Sequence, residues 1–278
     1  MAKVFSPVMK IAKFTCIDDM RQKSFIVMFI VCAVFVFLFR GCYHGNYMVN
    51  GQVVDTGIVI RTVSKMIFHA IAAGVMLLTA LFSMRAFKRD RDYGTQSFIL
   101  SKPIARWQYV VGKITGLWVL SAVYMFILHS IVFVITSISL KAFLPEYLFG
   151  SLLCSFNLLF VVIGVLFLSL LMPDIVAFLC VMCVGVVSFM AEGIYAVSHS
   201  QIAQMMMQQS DLKPDVAWWQ VVYCLWPKLS GVQQFASSYT AGGGLHGFGS
   251  IYPFINVLFY CLVIGIALLR RFKNTDIV

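Results

Sequence analysis

Six apolar runs, each about as long as a membrane is thick, constrain this chain more than any other feature. The runs are 24–40, 66–84, 110–138, 148–172, 175–191 and 251–269. A helix needs about 20 apolar residues to cross the hydrocarbon core of a bilayer. Because 61% of the residues are hydrophobic and only 12% are charged, a water-soluble fold would have to hide nearly all of its surface. The sequence therefore predicts an all-α integral membrane protein with six transmembrane helices.

Lysine and arginine residues are distributed unevenly between the two sides that these runs define. Fifteen of the 21 lie in segments 1–23, 85–113 and 270–273, and the other six lie on the opposite side. Because positively charged residues favour the cytoplasmic face, we expect both termini and stretch 85–113 in the cytoplasm and segment 192–250 outside it. The expected location is the cytoplasmic (inner) membrane. The net charge of +10 is thus a sign of topology, and we expect no nucleic-acid partner.

The N-terminal segment has apolar residues at helical spacing before the first run. Val8, Ile11, Phe14 and Ile17 recur every third residue. This pattern predicts an amphipathic helix that lies in the membrane interface, with lysine side chains reaching the headgroups. A solvated basic tail is the alternative interpretation.

Segment 192–250 is too long and too apolar for an ordinary loop. Ile202, Met205 and Met206 form a short amphipathic pattern, and residues 216–226 are apolar and aromatic but too few to cross a membrane. We expect re-entrant or surface-lying helices here, before the sixth span. The alternative is an external loop that folds against a partner subunit.

No catalytic constellation stands out in the sequence. Gly112-Lys113 resembles the end of a phosphate-binding loop, but Trp107 lies where that loop needs its first glycine. We therefore expect no ATPase activity, no catalytic residues and no metal site in this chain. The three methionines at 205–207 could contact a soft metal such as Cu(I), but packing in the membrane explains them more simply.

Two histidines and one asparagine inside the apolar runs either line a pathway or pack between helices. His69, His129 and Asn157 belong to the second, third and fourth runs. Polar side chains between membrane helices commonly form interhelical hydrogen bonds, so we favour packing for all three. A proton-coupled carrier usually has a carboxylate at mid-membrane depth, and the runs contain none there.

Stretch 85–113 carries a specific motif as well as charge. It contains Asp90-Arg-Asp-Tyr-Gly-Thr95, then Leu100-Ser-Lys-Pro-Ile-Ala-Arg106, then Gly112-Lys113. This order resembles the cytoplasmic loop of ABC-2-type transporter permeases, in which an acidic-Arg-acidic-x-Gly-Thr run precedes a Ser-x-Pro-x-x-Arg step and a Gly-Lys pair. The likeness extends to the branch of nitrous oxide reductase maturation permeases.

The chain departs from that family pattern at two places. Asp90 and Asp92 stand where glutamates are common, and Gln96 stands where leucine is usual. The first departure preserves the charge of the acidic pair, whereas both leave the exact docking contacts open.

The resemblance implies an architecture and a set of partners. It implies six spans, an N-terminal amphipathic helix, a cytoplasmic coupling helix in loop 85–109 between the second and third spans, and a membrane-dipping segment before the sixth. It implies a permease that binds a separate cytoplasmic ATPase subunit, which would hold ATP and Mg²⁺, and that pairs with a second copy of itself or a homologous permease. Export is the default direction in the family. An extracytoplasmic protein is a further candidate partner.

The resemblance also assigns ATPase coupling to individual residues. They are Asp90, Arg91, Asp92, Gly94, Thr95, Phe98, Leu100, Ser101, Pro103, Arg106, Gly112 and Lys113. The residue types fit this role, because Gly94 can turn the backbone and Thr95 can cap a short helix. Residues 98–100 would form an exposed apolar knob, and Pro103 suits the first turn of the next helix.

Two functions from different classes stay open at this stage. The first is a permease that couples ATP hydrolysis by a separate subunit to export of an unidentified substrate. The second is a non-transporting membrane anchor that passes ATPase-driven motion to an extracytoplasmic partner, and the length of segment 192–250 motivates it. An integral-membrane enzyme is disfavoured, because no catalytic constellation is present.

Overall fold

The chain folds into a bundle of helices with one short β-ladder. The computed structural model describes residues 2–38, 48–49, 52–53, 56–92, 94–101, 104–142, 145–198, 223, 225–240 and 247–274. Its helices are α1 (Ala2–Met20), α2 (Lys23–Leu38), α3 (Thr56–Met84), α4 (Ala86–Asp92), α5 (Thr95–Leu100), α6 (Arg106–Leu140), α7 (Glu146–Ser169), α8 (Asp174–Ser198), α9 (Leu229–Thr240) and α10 (Gly247–Lys273). Strands β1 (Met48–Val49) and β2 (Gln52–Val53) pair antiparallel.

Five helices are long and apolar enough to cross a membrane, namely α3, α6, α7, α8 and α10. Helix α2 has only 16 residues and reaches the length of a span only together with α1, from which it is bent by 70°. The described residues thus contain five candidate spans, or six if this bent pair is one span. The prediction of a helical, multi-pass membrane protein is confirmed, and the sixth span depends on the bent pair.

The membrane helices extend beyond the apolar runs that predict them. Helix α3 begins at Thr56 rather than at 66, and its first turns carry the exposed side chains of Arg61 and Lys65. Helix α8 continues to Ser198, inside the segment that the sequence assigns to the outer side. Hydropathy detects only the apolar middle of a span, whereas backbone hydrogen bonding continues through the polar turns at its ends.

Helix α1 packs along the beginning of α6 with a face that differs from the predicted one. Its buried residues are Val8, Ile11, Thr15 and Asp19. Phe14 and Ile17, which the pattern of every third residue included, are exposed. The buried stripe advances by three or four residues, as an α-helix of 3.6 residues per turn requires. The interfacial position of α1 stays a prediction, but its inward face is partly polar.

Two glycines of α6 allow α1 to approach closely. A Cβ atom added to Gly112 would lie 2.8 Å from the Cβ of Ile11. One added to Gly116 would lie 2.8 Å from the carbonyl oxygen of Ala12. Both distances are too short for real side chains, so the spacing of these helices depends on the two glycines.

Helix α9 is the described helix of the segment before the last span. Its 12 residues cover about 18 Å, too little to cross a membrane. Leu229, Val232 and Ala236 are fully buried, and the helix packs against α3, α7, α8 and α10. The described element that enters the bundle is therefore α9, and the prediction for 216–226 stays untested. Most of that run, together with the methionines at 205–207, lies outside the described residues.

Two polar residues of the apolar runs form hydrogen bonds between helices. His129 Nδ1 lies 2.8 Å from the hydroxyl oxygen of Ser151, and the imidazole stacks on Phe68 with ring centroids 4.4 Å apart. Asn157 donates from Nδ2 to the carbonyl oxygen of Leu229 at 2.8 Å, which holds the first turn of α9 against α7. The structure therefore confirms the hydrogen-bonded packing that the sequence favours for His129 and Asn157.

Replacing Gly116 with alanine should loosen α1 from α6. The added Cβ would collide with the backbone of α1, at a cost of about 1–3 kcal/mol for an overpacked contact. Gly74→Ala in α3 is the matched control, because no heavy atom lies within 4 Å of its added Cβ. We expect a lower melting temperature in detergent and faster proteolysis of α1 for Gly116→Ala, and neither for Gly74→Ala. Equal behaviour of the two variants would contradict the close packing.

Candidate functional site

The charged stretch folds into the two short helices α4 and α5 between α3 and α6. Gly94 lies between them with a φ of 66°, a conformation in which residues with a side chain are strained. Its carbonyl oxygen accepts a hydrogen bond from the Phe98 N–H at 3.1 Å. Gly94 is therefore the N-cap of α5, and Thr95 is the first helical residue. The predicted turn is confirmed, and the predicted cap is wrong by one position.

A buried ion pair holds α4 against α6. The Nζ of Lys113 lies 2.7 Å from Oδ2 of Asp90, and the two side chains are 1% and 5% exposed. The hydroxyl of Tyr109 donates to the same carboxylate oxygen at 2.5 Å. Such a pair adds little net stability compared with apolar packing, but removing one partner leaves an uncompensated buried charge. It therefore fixes the position of α4 relative to α6.

A second ion pair joins α4 to the end of α1. Nη2 of Arg89 lies 2.7 Å from Oδ1 of Asp19 and 2.9 Å from Oδ2 of Asp18. The Asp19 side chain is almost fully buried, whereas that of Asp18 is 45% exposed. Arg89 and Asp90 are neighbours in the chain, so α4 is tied to α1 by one residue and to α6 by the next.

Aromatic rings place the end of α10 beside the Asp90–Lys113 pair. Phe272 stacks on Phe87 and Tyr109, with ring centroids 5.4 and 5.7 Å apart. Arg106 donates from Nη1 to the carbonyl oxygen of Lys273 at 2.9 Å. Helix α4, which we call the base of the charged stretch, therefore contacts α1, α6 and the C-terminal end of α10.

The other end of the stretch, α5, presents an apolar side chain to its surroundings. Phe98 is 66% exposed, whereas Ile99 is half-buried and Gln96 is buried. The Ser101 hydroxyl donates to the carbonyl oxygen of Phe98 at 2.8 Å and closes the helix. The predicted knob comprises residues 98–100. Among its described side chains, Phe98 is the exposed one.

Helix α6 begins later than the sequence predicts. The sequence places Pro103 in the first turn, but the helix starts at Arg106, after Ala105. Oε1 of Gln108 accepts a hydrogen bond from the N–H of Ala105 at 3.1 Å. This side chain satisfies a backbone donor at the helix start, and the local sequence therefore selects residue 105 as the boundary.

The structure divides the twelve predicted coupling residues into two groups. Asp90, Gly112 and Lys113 are buried at the base of the stretch. Six are exposed or half-buried, namely Asp92, Gly94, Thr95, Phe98, Ser101 and Arg106. The side chains of Arg91 and Leu100 and the whole of Pro103 lie outside the described part of the chain. The buried group is too enclosed to contact another protein directly, and it positions the exposed group.

Sequence reasoning missed the partners that hold the base, namely Asp18, Asp19, Phe87, Tyr109 and Phe272. One signal could have revealed the environment of Lys113. A lysine next to an apolar run needs a counter-ion, and Tyr109, four residues earlier, lies on the same helix face. No local pattern predicts the pairing of Arg89 with α1, because that contact joins segments far apart in the chain.

Together, the fold and the site define a helical membrane protein whose charged loop is fixed at its base and exposed at its tip. The sequence model of the ABC-2 family transporter proteins matches residues 9–277. The chain therefore belongs to this family and is a membrane permease component of an ABC transporter. A search of curated proteins finds no match to the chain.

Replacing Lys113 with methionine should destabilise the protein strongly. Asp90 would be left buried without its cation, which typically costs about 3–5 kcal/mol. Adding Asp90→Asn should recover much of that loss, because the neutral amide can still accept the hydrogen bond of Tyr109. Lys13→Met removes an exposed lysine of α1 and is the control.

The measurement is thermal unfolding of the purified chain in detergent. Unfolding is monitored as the fraction of the protein that stays monodisperse after heating. A Lys113→Met protein as stable as Lys13→Met would show that the ion pair does not hold α4.

Proposed function

We propose that this permease couples ATP hydrolysis by a separate cytoplasmic ATPase subunit to the export of a substrate. The supporting observation is the charged stretch, whose base is held by buried ion pairs while Phe98 is exposed on α5. Phe98 lies on a charged loop rather than on the apolar surface of the spans, and an aromatic side chain in such a place suits an anchor in a protein interface. Membership of the ABC-2 family supplies the class of that partner.

Coupling would pass through the base of the stretch. A push on α5 would reach α4 across the turn at Gly94. From α4 it would pass to α6 through Asp90 and Lys113, and to α1 through Arg89 and Asp19. Since packed helices have discrete alternative arrangements, α1, the charged stretch and the start of α6 would move as one unit and switch their packing against the other helices between two states.

Within this proposal the residues have two roles. Gly94, Phe98 and Arg106 would lie at the ATPase contact, and Asp90 and Lys113 would act as positioning residues. ATP and Mg²⁺ would be bound by the ATPase and not by this chain.

The proposed assembly contains two permease chains and two ATPase subunits in the cytoplasmic (inner) membrane. The excess of lysine and arginine in segments 1–23, 85–113 and 270–273 supports a cytoplasmic position for the coupling stretch and both termini. The likeness to nitrous oxide reductase maturation permeases stays a prediction, and the cargo is left open within the family.

The alternative proposal, a non-transporting anchor for an extracytoplasmic partner, depends on segment 192–250. In its described part, α9 packs into the bundle rather than forming an outer surface. Export is therefore the function that the described residues support better.

Replacing Phe98 with aspartate should weaken the association with the ATPase. An anchor side chain at the centre of an interface typically carries enough binding energy for a loss of about tenfold or more. The measurement is the amount of ATPase that co-purifies with the tagged permease from native membranes.

Ile138→Asp is the matched control, because Ile138 is 72% exposed but lies at the opposite end of α6. Both variants are first checked for normal membrane levels. Retention of the ATPase by Phe98→Asp at the level of the Ile138→Asp protein would contradict the proposed contact.

A further inference from the structure

A cleft of about 780 Å³ opens beside the charged stretch, where α4 follows α3. Residues from the α1–α2 connection, α2, the end of α3, α4 and the start of α8 line it. Of the ion-paired residues at the base, Arg89 alone lines this cleft. The cleft therefore shares Arg89 with the contacts proposed for coupling, but it does not include the Asp90–Lys113 pair.

The inner wall of the cleft is apolar. Met28 of α2, Leu81 and Phe82 of α3 and Ile175 of α8 line it. Phe82 also packs against Phe25, with ring centroids 5.6 Å apart, which fixes one side of the wall. Leu81, Phe82 and Ile175 belong to candidate spans and Met28 belongs to the bent pair, so we place the inner wall at the depth where lipid chains begin.

The outer edge of the cleft is charged. Arg85 and Lys88 line it just beyond the end of α3, and both are exposed. Among the residues that the structure describes, neither has a carboxylate partner, whereas Arg89 is already paired with α1. Two cations are thus available to an anionic group at the depth of the lipid headgroups.

We propose that this cleft binds a glycerophospholipid from the adjacent leaflet. Its phosphate would contact Arg85 and Lys88, and the upper parts of its chains would lie against Met28, Leu81 and Ile175. The order of the wall, with cations outside and apolar residues inside, matches the order of phosphate and chain in a phospholipid. The volume falls within the roughly 300–1,000 Å³ of small-molecule sites and holds a headgroup, the glycerol and the first chain carbons.

A lipid fits this cleft better than a segment of the ATPase does. A cytoplasmic protein could reach the charged edge, but the apolar wall belongs to the spans. The proposal does not depend on the coupling proposed above, because the two cations offered to the lipid, Arg85 and Lys88, take no part in that coupling.

Two carboxylates, Asp92 and Asp174, also line the cleft. They would face the ammonium of a zwitterionic headgroup. We therefore expect phosphatidylethanolamine to bind at least as tightly as phosphatidylglycerol, and both to bind more tightly than diacylglycerol, which lacks the phosphate.

Native mass spectrometry of the full-length chain in detergent, titrated with these three lipids, tests the proposal. The Arg85→Gln, Lys88→Gln variant should bind both phospholipids about twenty-five-fold more weakly, since each basic residue near a membrane surface contributes about a factor of five. The control is Arg270→Gln, Lys273→Gln, which removes two exposed charges of α10 at the same end of the bundle. Its phospholipid binding should match the unaltered chain.

A second measurement locates the lipid. A phosphatidylethanolamine with a diazirine on its acyl chain should crosslink to the peptides around Met28, Leu81 and Ile175, and this labelling should fall in the Arg85→Gln, Lys88→Gln variant. Equal binding of diacylglycerol and phospholipid, equal binding by both double variants, or crosslinks confined to other surfaces would each overturn the proposal. Crosslinks from the cleft to the ATPase in native membranes, with no lipid crosslink there, would assign the cleft to the ATPase and overturn it as well.

Discussion

The buried contact between Lys113 and Asp90 is the interaction on which the charged end of the bundle depends. Both side chains have lost their water, and they lie 2.7 Å apart with the Tyr109 hydroxyl on the same oxygen. In such surroundings the attraction between the charges mainly offsets the cost of their dehydration, so the pair contributes geometry more than stability. The pair can hold α4 in place because Arg89, one residue earlier, pairs with α1, and because Phe272 packs on Tyr109.

The Gly-Lys pair at the start of α6 gains a structural explanation from this arrangement. Consecutive residues of a helix point about 100° apart, so Gly112 and Lys113 face different neighbours. Gly112 admits α1 to close packing, and Lys113 reaches Asp90 on α4. This dipeptide resembles part of a phosphate-binding loop. Here it brings α1 and α4, both of which we propose to lie on the cytoplasmic side, into contact with one membrane helix.

The sequence predicts those parts of the fold that depend on local composition. The apolar runs predict the membrane helices, and Gly94 predicts the turn in the charged stretch. The sequence does not predict the buried face of α1, because Thr15 and Asp19 on that face are polar and their partners lie elsewhere in the chain. It also does not single out α9 as an element that enters the bundle. Leu229, Val232 and Ala236 lie among polar residues, and tertiary packing rather than hydropathy buries them.

The central claim is that α1, the charged stretch and the start of α6 move as one unit when the ATPase acts. Spin labels at Lys88→Cys on α4 and Phe14→Cys on α1, two exposed positions outside the proposed ATPase contact, measure this directly by pulsed electron paramagnetic resonance in a background without the native cysteines. In the complex with the ATPase, the account predicts a single inter-label distance that is the same with and without ATP. It also predicts that Lys113→Met broadens that distance. A distance that shifts on ATP binding in the otherwise unaltered permease would show that the stretch moves independently of α1, and would contradict the account.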